Sequence, residues 1–224
     1  MSIKIENVEV LGFEAAIRGM RNPHNSWSKS DTNYSCTKRH YLDREFTEFI
    51  ATPDIGEADL TLMRKLAKGG STHAKYRRMI TVYMDITAPL YWWKEFDTYK
   101  VGTVANSCST MHKIHTRELK LDDFSHEHLN LDSREMLEKL IKGLNEYRYD
   151  YLVTNDKDCW WQIIQLLPSS YNQKRTVQMN YEVLVGIYRD RKNHKLDEWV
   201  ALCECIEKLP YSEIITGEVN NEQR

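Results

Sequence analysis

Leu137, Leu140, Ile141, Leu144, Tyr147 and Tyr151 recur at spacings of three and four, and no other pattern constrains the folding of this chain so strongly. Such a stripe is one face of an amphipathic helix, which must bury it against a partner. Asp132 and Glu135 fit a helix start with an acidic residue in its first turn, so a helix is predicted from there to about Val153. Asp156 to Leu167, stopped by Pro168, the span near Tyr171 to Arg191, and Asp197 to Leu209 read as further helices, and Asn220 to Arg224 as a frayed tail.

The first half is patterned differently. Ile3 and Ile5, then Val8 and Val10, alternate with polar residues in two short registers, the mark of an opening strand or a strand with a bulge. Phe13 to Met20 reads as a short helix. Arg21 to Lys38 is Asn-, Ser- and Thr-rich and is predicted to be a long polar loop, either a surface connection or a lid over a binding site. Gly56 to Lys68 carries Leu60, Met63, Leu66 and Ala67 at helical spacing before the Gly69-Gly70 stop. Tyr76 to Ile86, rich in β-formers with Ile80, Val82 and Met84 on one side, is predicted to be a strand, and Pro89 opens a short helix bearing Tyr91, Trp92, Trp93 and Phe96. The expected class is α/β, with helices concentrated in the second half and a single domain over residues 1–224; there is no internal repeat.

At 224 residues, 41% hydrophobic and 29% charged, the chain can bury a core without staples. The segment MSIKIENVEV lacks the apolar centre of a signal peptide, and no uncharged stretch is long enough to span a bilayer, so a cytoplasmic protein without membrane partners is expected. Basic residues number 31 against 33 acidic and are scattered, which argues against nucleic acid, whose affinity rests on a basic face. Five cysteines without a CxxC point to reduced thiols rather than a disulfide framework or a zinc ribbon.

The stretch Tyr91 to His112 switches abruptly from aromatic to small and hydrogen-bonding residues. Gly102 to Thr110 supplies little apolar area but many amides, hydroxyls and one carboxamide, and reads either as the wall of a polar ligand site or as a polar loop or edge strand. If Asn180 and Arg191 share one helix, eleven residues return them to within ~20° of one face, ~16 Å apart, where an elongated ligand would touch both. The other reading is that Arg189, Arg191 and Lys192 complement a helix C-terminus. His112-x-x-His115 and His126-x-His128 lack a third ligand in a recognised order, so hydrogen-bonded histidines are favoured over a metal site. No GxSxG elbow, P-loop or GxGxxG cradle is present, and Cys108 is a nucleophile candidate without an adjacent histidine, so a buried thiol is the commoner reading.

Two blocks together resemble the flavin-dependent thymidylate synthases. That family carries the signature Arg-His-Arg-x-x-Ser-x-Asn-Glu-x-Ser-x-Arg-Tyr, preceded by a Gln three residues and a Pro nine residues before the first Arg. Here Pro89 stands nine before Thr98 and Glu95 three before it. The pattern runs through Thr98-Tyr99-Lys100-Val101-Gly102-Thr103 and, with one inserted residue, Asn106 to His112. The second block is Leu167-Pro168, then Asn180, then Arg191, at the family's spacing of twelve and eleven. The resemblance spans roughly Leu60 to Leu209.

It implies a central, mostly antiparallel sheet flanked by helices, and a homotetramer whose sites are shared between subunits. It also implies reductive methylation of dUMP or a related pyrimidine nucleotide with FAD as cofactor and methylenetetrahydrofolate and NADPH as co-substrates. By the same resemblance Tyr99, Lys100, Asn106 and Asn180 belong to the cofactor site, with Asn180 at the ribose or adenine end and Lys100 near the flavin. Glu95, Thr98, Ser109 and Thr110 belong to the nucleotide site, Ser109 beside the phosphate, and Arg191 orients and activates the pyrimidine. Family arginines stand here as Thr98, Met111, Ile164 and Glu182, the signature His as Tyr99, its Glu as Ser107, its final Tyr as His112, and a later Asn as Gly186. Those losses remove cation contacts worth a few kcal/mol together. Two functions follow from the resemblance: the methyl transfer, or a non-catalytic nucleotide- or flavin-binding homologue with a sequestering or regulatory role.

Overall fold

The computed structural model describes residues 3–41 and 49–217. In chain order the elements are β1 (Lys4–Leu11), α1 (Phe13–Arg21), β2 (Asn33–Tyr41), β3 (Phe49–Asp54), α2 (Glu57–Lys68), β4 (Thr81–Pro89), α3 (Leu90–Phe96), β5 (Val104–Ser107), α4 (Leu131–Thr154), α5 (Lys157–Leu166), β6 (Asn172–Asn180), α6 (Tyr181–Arg191), α7 (Asp197–Glu207) and α8 (Glu213–Thr216). The class is α/β, an antiparallel sheet flanked by helices. Its strand order is β1-β4-β6-β5, which puts β5, part of the polar run, at an edge; β2 and β3 form a separate two-stranded sheet. Among the described residues no helix is long and apolar enough to cross a membrane.

The chain divides into two compact units. One contains residues 3–4, 86–98 and 106–176. Its core is where the α4 stripe lands: Leu137, Ile141 and Leu144 pack with Ile163 of α5 and with Ile114, Leu119 and Phe124. Ile164, where the family has an arginine, is spent against this core. The aromatic run is core as well. Trp92 and Trp93 are fully buried, and Trp92 stacks on Phe96 with ring centroids 5.1 Å apart.

The other unit contains residues 5–41, 49–85, 99–105 and 177–217. Its core gathers Phe13, Ile17 and Met20 of α1, Met63 of α2, Leu184 and Ile187 of α6, and Trp199 and Leu202 of α7. Gly12, at φ +98°, is required where α1 begins, because a Cβ there would lie 2.1 Å from the Met79 carbonyl oxygen. Glu182 stands 3.5 Å from the Arg77 guanidinium, so the acid that replaces a family arginine forms an ion pair inside this unit.

Several expectations are corrected. The span 172–180 is a strand, not helix: Gln173, Val177 and Met179 are buried at a period of two, which a helix cannot bring to one side. Residues 21–38 hold two single 3-10 turns, Asn22–His24 and Trp27–Lys29, and then the start of β2. That strand is exposed along nearly its whole length, so it lacks the apolar alternation that marks a strand in sequence, and β3, six residues that include Pro53, has no counterpart in the sequence reading. Lys75–Met79 is a 3-10 turn, because buried Tyr76 donates its hydroxyl to the Met63 carbonyl, and β4 begins only at Thr81. Asn130, not Asp132, caps α4 by accepting from the Ser133 amide at 2.9 Å. In β1, Asn7 at φ +52° separates the Ile3/Ile5 register from Val8/Val10, as a bulge would. The tail 220–224 lies outside the described residues.

Candidate functional site

The span 99–105 and the helix α6 meet within one unit. Arg191, at the C-terminal end of α6, donates from Nε to the Tyr99 hydroxyl at 2.9 Å, and its Nη1 lies 2.9 Å from His194 Nε2. Its guanidinium carbon sits 4.6 Å from the centroid of the fully buried Trp199 and 5.7 Å from that of Tyr99. An arginine laid on aromatic faces keeps its charge while giving up conformational freedom, so it is a fixed cation. At the other end of α6, Asn180 is the N-cap: its Oδ1 accepts from the Val183 amide at 3.1 Å. Asn180 and Arg191 thus bound one helix, a cap at its start and a stacked guanidinium at its end.

Gly102, at φ +80°, lies against that cap. A Cβ there would stand 3.1 Å from Val183 Cγ2 and 3.2 Å from Asn180 Nδ2, so the span can approach the helix start only with glycine at this position. Next to it the Thr103 hydroxyl is buried with no hydrogen-bond partner, and Lys100 is exposed. A buried hydroxyl without a partner costs free energy unless a donor or acceptor is supplied from outside the fold.

Within the other unit, residues 108–110 form one wall of a cleft of about 460 Å³. The strand pairing makes it: the Cys108 amide donates to the Lys174 carbonyl at 2.9 Å, and Gln173 Nε2 donates to the Cys108 carbonyl at 2.7 Å. Ser109, Thr110, Lys113, Arg117, Tyr171, Asn172 and Lys174 line it, together with the carboxylates of Asp122 and Asp123. Arg117 grips Asp123 bidentately at 2.5 and 2.7 Å. Burial alone would raise the Asp123 carboxyl, but the hydrogen bonds from Arg117 and from the Lys120 amide hold it below the ordinary value. The same pair raises Arg117 above its ordinary value, and burial raises the Tyr171 phenol despite neighbouring Arg117, so the phenol is a proton donor at neutral pH. Asn172 Oδ1 is buried and has no hydrogen-bond donor.

The predicted residues thus fall into two groups. Tyr99, Lys100, Asn180 and Arg191 lie in one unit, and Glu95, Thr98, Asn106, Ser109 and Thr110 in the other. Ser109 and Thr110 are brought to the cleft, the Ser109 hydroxyl also accepting from the His112 amide at 2.9 Å. Thr98 donates its hydroxyl to the Glu95 carbonyl at 2.8 Å and so finishes α3, and Asn106 is exposed on β5. The signature position Met111 is exposed, and its carbonyl accepts from Trp160. Cys108 is exposed, not a buried thiol. Among the described residues no group of three or more His, Cys, Asp or Glu is placed to hold a metal. Lys113, Arg117, Tyr171, Asn172 and Lys174 were missed from sequence; the signal was cations four apart directly after His112 and a polar start to a strand.

Crystal structures of the flavin-dependent thymidylate synthase ThyX from Helicobacter pylori complexed with FAD and dUMP superpose on this chain with a TM-score of 0.64. They are 14% and 15% identical to it, cover 97% of it, and are themselves covered to 98% and 97%. This chain has the fold of a flavin-dependent thymidylate synthase. No family model and no curated protein sequence matches it.

Proposed function

We propose that the protein binds a pyrimidine nucleotide, dUMP or a close relative, in the cleft lined by Ser109, Thr110, Lys113, Asn172 and Lys174. The observation that carries this reading is Asn172 Oδ1, a buried acceptor with no donor in the wall of a cleft where Lys113 and Lys174 stand beside the Arg117–Asp123 pair and Asp122. The N3–H of a uracil ring supplies such a donor, while the hydroxyls and the two lysines suit a phosphate. The fold's solved relatives were crystallised with FAD and dUMP, which is consistent with this ligand class.

The proposed reaction is reductive methylation of that nucleotide with methylenetetrahydrofolate and NADPH, in a cytoplasmic homo-oligomer, a homotetramer by analogy with the family. The residues fit a flavin: the partnerless Thr103 hydroxyl, exposed Lys100 and the Gly102 approach make a cradle in which Lys100 and Asn180 would hold FAD. When bound, FAD supplies the redox chemistry. The chain's own residues position: Tyr99, Trp199 and His194 fix Arg191, the Thr98 hydroxyl secures the turn leading to Tyr99, and the Arg117–Asp123 pair orders the cleft rim. A second reading, a nucleotide-sequestering protein without catalysis, is favoured by the same arginine, because the Arg191 Nε and Nη1 atoms are already engaged within the fold.

Purified protein separates these readings. Reconstitution with FAD giving a yellow protein absorbing near ~450 nm, together with dUMP binding and formation of the methylated nucleotide, supports the enzyme. Nucleotide binding without flavin binding or turnover supports sequestration, and failure to bind dUMP or any pyrimidine nucleotide rejects both.

A further inference from the structure

A second cleft, of about 700 Å³, lies in the unit that holds Arg191, between the outer face of α2 and the two 3-10 turns that follow α1. Its ionisable lining is wholly basic: Arg21, His24, Lys29, Lys65 and His73. Arg21 is 3% exposed and is built in. Its Nε donates to Asp59 Oδ1 at 2.6 Å, and its Nη1 reaches the Ser26 carbonyl at 3.2 Å. Its Nη2 is buried with no hydrogen-bond partner.

Asp59 balances the charge of Arg21 but cannot serve the others. It is fully buried and not part of the lining, and its Oδ2 is saturated by the hydroxyls of Ser30 and Thr32 and the amides of Asp31 and Thr32. Among the described residues Lys29, Lys65, His24 and His73 have no acidic partner. They converge from three stretches of chain, the turns after α1, the helix α2 and the segment after it, which a single loop carrying solvated lysines would not produce. The Lys29 and Lys65 ammonium groups, held together in the lining without a carboxylate, repel one another, and the arrangement is relieved by a multiply charged anion.

We infer that this cleft is an anion site, separate from the proposed nucleotide cleft, that takes the phosphate groups of a small phosphorylated molecule. Phosphate fits better than a single carboxylate, because two ammonium groups, two imidazoles and the spare guanidinium nitrogen need an acceptor with several charged oxygens. Lys29 and Lys65 supply charge and His24 and His73 directional donors, while Arg21, fixed by Asp59 and Ser26, forms the rigid floor.

The test is calorimetric titration of inorganic pyrophosphate at fixed ionic strength into the full chain, the K29Q/K65Q variant and the K113Q/K174Q variant. Lys29 and Lys65 make no ion pair among the described residues, so K29Q/K65Q should melt within a degree or two of the parent. The inference predicts saturable binding to the parent, at least tenfold weaker binding to K29Q/K65Q, and one equivalent of pyrophosphate still bound by K113Q/K174Q. It is overturned if the parent shows no saturable binding, if K29Q/K65Q binds as the parent does, or if all binding disappears in K113Q/K174Q. Failure of dUMP to bind would remove the proposed function and leave this result intact.

Discussion

Replacing Gly102 by alanine tests whether the 99–105 span is seated on the start of α6. At φ +80° a side chain costs roughly 1–2 kcal/mol in backbone strain alone. The new methyl would also stand 3.1 Å from Val183 Cγ2 and 3.2 Å from Asn180 Nδ2, distances that oblige both neighbours to give by a few tenths of an ångström. Asn180 is the cap of α6 and can yield only by loosening its hydrogen bond to the Val183 amide, and a lost cap costs about 1 kcal/mol. The sum is about 2–3 kcal/mol, a fall in melting midpoint of roughly 4–12 °C for a chain of this size. The decisive assay is a double-mutant cycle in urea with Asn180→Ala. Removing Nδ2 relieves one of the two close contacts, so Gly102→Ala should cost about 0.5–1 kcal/mol less in that background than in the parent. Additive effects, or a Gly102→Ala protein as stable as the parent, would refute the seating of this span and with it the cradle drawn around Thr103.

Other consequences follow from single residues. Burial, with a smaller contribution from Lys38, lowers the His40 imidazole to about 4 from its ordinary 6.5. The unfolded chain therefore binds the extra proton first as pH falls, and stability present above pH 6.5 is lost between about 6.5 and 4; with partial solvent screening the loss is about 1–2 kcal/mol, and it should vanish from the pH profile of urea midpoints in His40→Gln. Asp59→Asn leaves the buried Arg21 charge uncompensated and should cost about 3–5 kcal/mol by denaturant unfolding, whereas a loss under 1 kcal/mol would show that the pair is not buried as described. Tyr99→Phe removes the acceptor of Arg191 Nε while keeping the ring; about 1 kcal/mol of stability should go, and trypsin cleavage after Arg191 should quicken, an unchanged rate counting against the clamp.

What was legible in the sequence was what repeats. The α4 stripe, the Leu60/Met63 pattern of α2 and the Pro89 boundary of α3 each rest on local spacing that tertiary structure had only to accept. The strand 172–180 was misread because Lys174, Arg175 and Thr176 hide its period of two, and its buried faces are completed by groups distant in sequence: Trp93 Nε1 donates to the Gln173 carbonyl, and Arg175 lies 4.3 Å over the Trp93 ring. β2 escaped for the opposite reason, since a strand exposed along nearly its whole length carries no hydrophobic signature. In the site, the two sequence blocks led to the expectation that the Lys100 to His112 stretch meets the Asn180 to Arg191 helix; the structure brings only the start of that stretch to the helix, through the contacts Tyr99–Arg191 and Gly102–Asn180, which spacing alone did not name. The cleft cations do not follow from those blocks, because Lys113 and Lys174 come together only when the 108 amide pairs with the 174 carbonyl.

The account depends most on the cleft that Asn172 lines, and calorimetric titration of dUMP into the parent and Asn172→Ala proteins tests it most directly. It predicts saturable binding by the parent and at least tenfold weaker binding by the variant, with deoxyuridine binding more weakly than dUMP to both because it lacks the phosphate. An unresponsive parent, or a variant that binds dUMP as tightly as the parent, would contradict it.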